Sequence, residues 1–466
     1  MANGDINSLP KAPSIGHATD TNYSTLSAIY DKIAKPDNRE QLAKIFGNQK
    51  VSGINSLLRM VGASKAAGMD NEVVWWEEQR LHAGVDAPSA STAISSVSAD
   101  PMTITLTGSN TFLVNDVVLV YTVADGSARP ERAQVISRTS TTIVVRPYKN
   151  WVATHLADVV TGVGKVSNEF GQGTDQPTEF LASDADKYTN TYRILKTMFS
   201  VTGSQMTNIG WIKVDGSWLW YHKQEQDFRD RTNDYDELSS ILSDKLTNAG
   251  LAGVAEFNQN GSEGLFSAIE SRGLNYEYYL ESIADLDKVI RSLDKQKGVG
   301  EYAFYVNRMQ DQTWDTFMSL GNTTEANIRS GVNEQYTVFG GDKKKAINLG
   351  FASAHRSSYT FHKHDYKLLN DSQLLGATGT DYYKGVMIPM MTTVDPNLGT
   401  TSPILEINHK GVEGYSREME HFKFGGVPMA GYSSTQDALQ FEYKSEKNLV
   451  VRGANNCVLF AGGVAA

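Results

Sequence analysis

Three observations in the sequence predict an α+β fold. Helical periodicities dominate up to residue 321 and strands dominate from residue 336, without the strand–helix–strand alternation of a parallel sheet. An extended aromatic stretch, residues 188–199, leads into a charged helix expected over 217–246. That helix would be about 45 Å long at ~1.5 Å per residue, longer than a globular helix needs. Residues 86–166 alternate as short strands between a Ser/Thr-rich and a Gly-rich connector, the pattern of a small all-β unit.

Taken in order, residues 1–22 are polar and rich in Gly, Pro and Asn, and read as a mobile arm. Residues 24–34 place Leu26, Ile29, Tyr30 and Ile33 on one helical face and stop at Pro36. Residues 39–46 form a second short helix with Leu42, Ile45 and Phe46. The stretch 71–82, around Trp75 and Trp76, is a strand apolar on both faces, so both should be covered. It pairs with residues 187–199 as one half of a hairpin. Between them Met102, Ile104 and Leu106 alternate with Thr103, Thr105 and Thr107, and further strands are expected at 117–123, 133–137 and 142–145.

The long helix carries Phe228, Tyr235, Leu238, Ile241, Leu242 and Leu246 on one side. Tyr235, Leu238 and Leu242 should face a sheet. Glu225, Asp227, Arg229, Asp230, Asp234 and Asp236 form a solvated or intersubunit face. A helix over 279–293 follows, with Leu280, Ile283, Leu286, Ile290 and Leu293 as its stripe. Then come a strand at 301–307, a short helix with Trp314, Phe317 and Met318 ended by Gly321, and strands at 336–339, 359–369, 385–391, 404–408, 438–451 and 458–460.

A chain of 466 residues, 40% hydrophobic and 21% charged, buries an ordinary globular core, with about three domains as the prior. No run approaches the ~18 apolar residues of a membrane span. Residues 1–10 lack the basic and apolar regions of a signal peptide. The single Cys457 excludes an internal disulfide framework, which fits a reducing cytosol. A formal charge of -10 argues against a protein that grips phosphates, yet lets it lie beside DNA.

The chemical lures are weak. No phosphate-loop, zinc-protease or nucleophile-elbow motif occurs. His362 and His364 share a strand face, with His355 nearby and Asp365 on the other side, short of the converging ligands that zinc needs. Asp227, Asp230 and Asp234 sit at helical spacing, but Arg229 and Arg231 interleave, which favours charged contacts over acid–base catalysis. Lys343, Lys344 and Lys345 read as a surface turn, Trp75-Trp76 as packing rather than a stacking platform, and Cys457 as a buried inert thiol. No catalytic, cofactor-binding or metal-binding residue is assigned, and no cofactor is expected.

Several segments together resemble the Hong Kong 97-type major capsid proteins of tailed phages. Thr-Asn-Thr-Tyr-Arg-Ile at 189–194 and Phe-Ser-Val-Thr-Gly-Ser-Gln at 199–205 resemble the passage from the elongated loop into the spine helix. Gly-Leu-Phe-Ser-Ala-Ile at 264–269 resembles the segment after it, and residues 385–389 and 411–418 resemble late strands of the axial domain. Residues 437–451, with Tyr-Lys-Ser-Glu at 443–446, resemble the strand returning to the peripheral domain. The nearest set is the crAss-like phages. The resemblance spans roughly residues 71–460, with specificity in the order of pieces rather than in any one motif.

It implies an N-terminal arm (1–70), an elongated loop (71–85 and 167–205) with an inserted β-domain (86–166), and a peripheral domain with the spine helix (206–298). An axial domain (299–430) and a returning strand of the peripheral domain (431–466) complete the plan. The implied role is a non-enzymatic subunit of the icosahedral head around a double-stranded DNA genome. Implied partners are further copies in hexamers and pentamers, a portal, and decoration, head-fibre or scaffolding proteins. DNA would lie in non-specific proximity, with no membrane involved. The implied location is the virion, after assembly in the bacterial cytoplasm. No long coiled-coil prefix is present, so scaffolding would be separate or absent. A tail-sheath or tail-tube subunit, or a β-rich carbohydrate-active enzyme, are the alternatives.

Overall fold

Strands and helices mix in one α+β chain, with three six-stranded sheets and two two-stranded ones among the described residues. The structure is a computed structural model and describes residues 53–54, 64–67, 71–78, 84–86, 100–106, 110–122, 130–151, 160–179, 185–207, 220–246, 261–320, 353–390, 392–394, 401–412, 414–427 and 431–462. The helices expected at 24–34 and 39–46, the strand at 336–339, Gly321 and Lys343–Lys345 fall outside these residues.

The first large sheet is organised by its longest strand, Ala438–Val451. One edge pairs antiparallel with Arg193–Thr202, and the other is shared by Glu420–Gly425 and Leu405–Val412. Ser64–Ala67 adds in parallel beyond Leu405–Val412. The hairpin expected from 71–82 and 187–199 is therefore shorter. Glu72–Glu78 pairs with Ala185–Thr191, while Arg193–Thr202 belongs to the sheet, with Tyr192 between the two.

The helix Trp220–Leu242 lies on the inner face of this sheet; its 23 residues span about 35 Å. It ends four residues before the expected 246. The Gly264 N–H donates to the Ser243 carbonyl (2.8 Å), and Lys245 forms an isolated bridge with Gly261. A Cβ on Gly264 would meet the Ile241 and Ser243 carbonyls at 2.8 and 2.7 Å, so this close return requires glycine.

Helix and strand meet in step. The helix offers Phe228, Thr232, Asp236 and Ser240 at intervals of four, and the strand offers Phe199, Thr197 and Arg193 at intervals of two or four. Four helical residues rise about 6 Å and two strand residues about 6.7 Å, so neighbouring rungs stay aligned. Phe228 packs on Phe199 with centroids 5.8 Å apart, and the Thr232 and Thr197 hydroxyls are 2.9 Å apart. Arg193 donates to the Asp236 carbonyl (2.9 Å) and to Ser240 Oγ (2.5 Å). Two expectations are corrected here. Tyr235 is 43% exposed, being about 100° around the axis from Asp236, and Asp236 is buried rather than solvated. Ile241 is buried, and Leu238 and Leu242 pack against the core as expected.

The second large sheet runs Leu274–Tyr276, Val458–Ala461, Tyr383–Pro389, Glu301–Val306, Tyr359–Asp365, Ser353–Arg356. In Glu301–Val306, alternate residues Tyr302, Phe304 and Val306 enter a core with Trp314, Phe361, Phe460 and the helix Ile283–Lys295. Ala303 and Tyr305 enter another core with Ile241, Phe266, Ile269, Ile407 and Leu449, which joins both large sheets. Glu301–Val306 and Tyr359–Asp365 are parallel, with helix Arg308–Leu320 between them in sequence, a local strand–helix–strand unit that the sequence does not predict. The helix expected from 279 begins at Ile283, capped by Ser282, because Gln310 engages both backbone groups of Leu280.

The third sheet, ordered Gly84–Asp86, Val160–Asn168, Asp116–Thr122, Glu131–Arg138, Thr142–Pro147, Met102–Thr105, lies in sequence between the paired strands Glu72–Glu78 and Ala185–Thr191. The edge strand Gly84–Asp86 and its neighbour Val160–Asn168 are not predicted from the sequence. The sheet has its own core, including Ile104, Phe112, Val118, Val135, Ile143 and Trp151.

Candidate functional site

The candidate chemical residues do not converge. His362 Nε2 is 2.8 Å from Glu301, and His355 Nδ1 is 3.0 Å from the Thr360 hydroxyl. His364 packs on Tyr305 (5.4 Å), where burial and then the neighbouring His362 lower its pKa. Asp365 accepts from Arg308 and Asn370. Among the described residues no group of three or more His, Cys, Asp or Glu side chains could hold a metal ion. Asp227 pairs with Lys223 one turn away at 2.6 Å. Cys457 is fully buried, and burial pushes its thiol up to about 12, far from the thiolate that nucleophilic work requires.

The features that stand out are structural, beginning at the root of the two-stranded ribbon. Asn190, wholly buried, donates to the carbonyls of Leu449 (2.6 Å) and Glu263 (3.0 Å) and accepts from the Glu263 N–H (2.9 Å). Trp75 stacks on Tyr188 (6.0 Å), and the Arg272 guanidinium lies 4.6 Å from the Tyr188 ring and 5.8 Å from the Trp75 ring. Arg272 in turn donates to Glu263 (2.9 Å), and Glu77 accepts from Trp75 Nε1 (2.9 Å) and the Gly453 N–H (3.1 Å). One ribbon face is thus locked to the body. The other is open around Val74 and Trp76, while nearer the body Lys245 donates to the Thr189 hydroxyl (3.2 Å) and Thr191 donates to the Gly261 carbonyl, so within the single chain the expected cover is complete on one face and partial on the other. Val74 is 44% and Trp76 63% exposed.

A second open face lies on the first large sheet, opposite the long helix. There Ile194, Met198 and Phe424 are exposed, Met198 to 59%. Lys196 lies across from Lys444 and Met198 from Glu442, and these residues line a shallow groove. The Lys444 ammonium lies 5.0 Å from the Phe422 ring. The sequence draws attention to Trp76 but not to this groove, because strand 438–451 alone does not reveal which of its faces the helix covers.

Beneath the helix, an ionic cluster joins the two. Arg193 and Lys447 are directly paired across the sheet, a like-charge pairing that is unfavourable unless an anion lies between them. Asp236 supplies it, 2.6 Å from Lys447 and 3.1 Å from Arg193. Burial pushes the Asp236 carboxyl up, but Lys447 and Arg193 outweigh it and hold the carboxyl below its usual value. Burial likewise lowers the Arg193 pKa, offset in part by Asp236. A second buried carboxylate, Glu237, accepts from Tyr366 (2.9 Å) and from the Ile54 N–H (2.8 Å), holding the start of the described chain against the helix. A Cβ on Gly53 would collide with the Tyr366 ring at 2.3 Å.

No protein-family model matches the chain, and no curated protein does. Among solved structures, the chain is similar to one from Gordonia phage Cozz at 9% identity, covering 97% of this chain and 98% of that one with a TM-score of 0.41. It is also similar to one from Microbacterium phage Oxtober96 (8% identity, 94% and 99% covered, TM-score 0.38). A third is the capsid of a native GTA particle (10% identity, 95% and 99% covered, TM-score 0.37).

Proposed function

We propose that this chain is a major capsid protein, a non-enzymatic subunit that self-assembles into the icosahedral head of a tailed phage around its double-stranded DNA. The observation that carries the reading is the ribbon, fixed at its root by Asn190 and Arg272 while it presents Val74 and Trp76 outward. Rigid apolar surface that the subunit itself leaves uncovered marks a contact with another molecule. A subunit that repeats such contacts head to tail forms rings and lattices. On this reading the resemblance to the Hong Kong 97-type proteins, and the narrower one to crAss-like phages, assigns residues 1–70 to the arm and 71–85 with 167–205 to the elongated loop. The third sheet is then an inserted domain, and the helix Trp220–Leu242 is the spine. The charge of -10 suits a wall along which packed DNA slides without adhering. Portal, decoration, head-fibre and scaffolding proteins are the expected auxiliary partners, in the virion and, during assembly, in the host cytoplasm.

Negative-stain microscopy of the purified chain tests this. Hexamers, pentamers or closed shells are expected. Helical tubes would instead indicate a tail-sheath or tail-tube subunit, and dispersed monomers that retain glycans would indicate the carbohydrate-active alternative.

A further inference from the structure

We infer that the outer face of the third sheet is a binding platform for an acidic polysaccharide, a chain of sugar rings that bear carboxylates. Val118, Val120, Ala133 and Val145 enter the core of this sheet, so by strand alternation Leu119, Tyr121, Arg132, Arg146 and Tyr148 point the other way. Arg132 lies directly across from Leu119, and its carbonyl accepts from the Tyr148 N–H (3.0 Å). Tyr121 and Tyr148 therefore stand two strands apart, roughly 10 Å across the sheet, with Arg132 between them. They are 43% and 49% exposed. Both rings are preset. Gly162 lies directly across from Tyr121, and a Cβ on Gly164 would meet the Tyr121 ring at 3.9 Å, so a bare glycine backbone is the floor beneath that ring. Tyr148 donates to Glu169 (2.5 Å), whose own carbonyl accepts from Gln134 (3.0 Å).

The charges on this face select the ligand. Arg132 and Arg146 are exposed, and neither guanidinium has a hydrogen-bond or ion-pair partner among the described residues. Arg138 of the same strand, by contrast, pairs with Glu179 at 2.6 Å. Two neighbouring guanidiniums left unpaired on a chain of net charge -10 call for an anion from outside. A guanidinium fork matches a planar carboxylate with two parallel hydrogen bonds. The electron-rich faces of Tyr121 and Tyr148 suit the C–H faces of the sugar rings that carry such carboxylates. A single nucleic-acid strand also combines rings with anions. Glu169 decides between the two. Its carboxylate stands beside Tyr148, where a phosphate on every unit would be repelled, whereas sugar hydroxyls can donate to it. The inference does not depend on the shell reading, since the platform would act alike on a shell and on a free subunit.

Isothermal titration of the full chain with an oligogalacturonate tests this, beside its methyl ester, which keeps the rings and loses the charges, and an oligothymidylate. The parent should bind the oligogalacturonate, and the methyl ester about ten-fold more weakly. Tyr121→Ala and Arg132→Gln should each weaken binding of the oligogalacturonate by about ten-fold or more. Both positions are exposed, so both variants should melt with the parent. Arg132→Lys keeps the charge and loses the fork, and should fall between Arg132→Gln and the parent. The inference is overturned if the oligogalacturonate does not bind at millimolar concentration, or if Tyr121→Ala and Arg132→Gln bind it like the parent. Tighter binding of the oligothymidylate would also overturn it and mark a nucleic-acid face. Shells that do not bind would refute the platform and keep the shell reading, while monomers that bind would refute the shell and keep the platform.

Discussion

Replacing Asp236 by asparagine removes the anion shared by Arg193 and Lys447 while leaving an oxygen that can still accept a hydrogen bond, so the substitution isolates charge. At the observed separations of 2.6 and 3.1 Å, and an effective dielectric constant of about 20, the two attractions are about 6 and about 5 kcal/mol. Most of this offsets the desolvation of three buried groups. The net cost of removing one member of such a cluster is about 3–5 kcal/mol, because two cations then stay buried without a counter-ion. Against a total stability of about 5–15 kcal/mol, that is a large fraction. Urea denaturation followed by circular dichroism should show a lower midpoint at unchanged slope.

The pH dependence has a definite sign. The folded Asp236 carboxyl lies below its unfolded value of about 3.9, so its contribution is present above about pH 4 and is lost as pH falls through the folded value. The gap between parent and variant should therefore shrink in acid. A cost below about 1 kcal/mol at pH 7, the size typical of an exposed pair, would refute the view that this cluster holds the helix to the sheet.

Leu238→Asp should lower the unfolding free energy by more than the ~2 kcal/mol expected for truncating a half-buried leucine, since it adds a stranded charge. Asp227→Asn, which loses one exposed pair a turn apart, should stay within about 0.5 kcal/mol, and equal effects of the two would contradict the observed helix orientation. Replacing residues 84–179 by a Gly/Ser linker should leave a body that unfolds cooperatively. The cut is wider than 86–166 because Gly84–Asp86 and Val160–Asn168 are strands of the third sheet and Glu169 and Glu179 bond to Tyr148 and Arg138. Aggregation without a transition would show that this sheet belongs to the body. Native Cys457 should resist a thiol reagent at pH 8 and react once the chain unfolds, and fast native labelling would place it nearer the surface.

Periodicity alone determined much of this molecule. The alternation of Met102–Thr105, the long strand Ala438–Val451, the strand at 301–306 and the long charged helix are visible because apolar residues repeat at two or near 3.6. The burial of Cys457 was also legible, since it adjoins the apolar strand Val458–Ala461. What only the tertiary structure decided is where polar residues turn inward. The helix stripe through Thr232, Asp236 and Ser240 is invisible to a search for hydrophobic spacing, so the sequence favours Tyr235 over Asp236. Arg193 and Lys447 are 254 positions apart, and their like charges make sense only once register pairs them and the helix lowers Asp236 between them. The division of 187–199 at Tyr192, and the open faces around Trp76 and Met198, have the same origin. Local pattern records how a segment prefers to bury itself, while burial depends on which distant segment arrives to cover it.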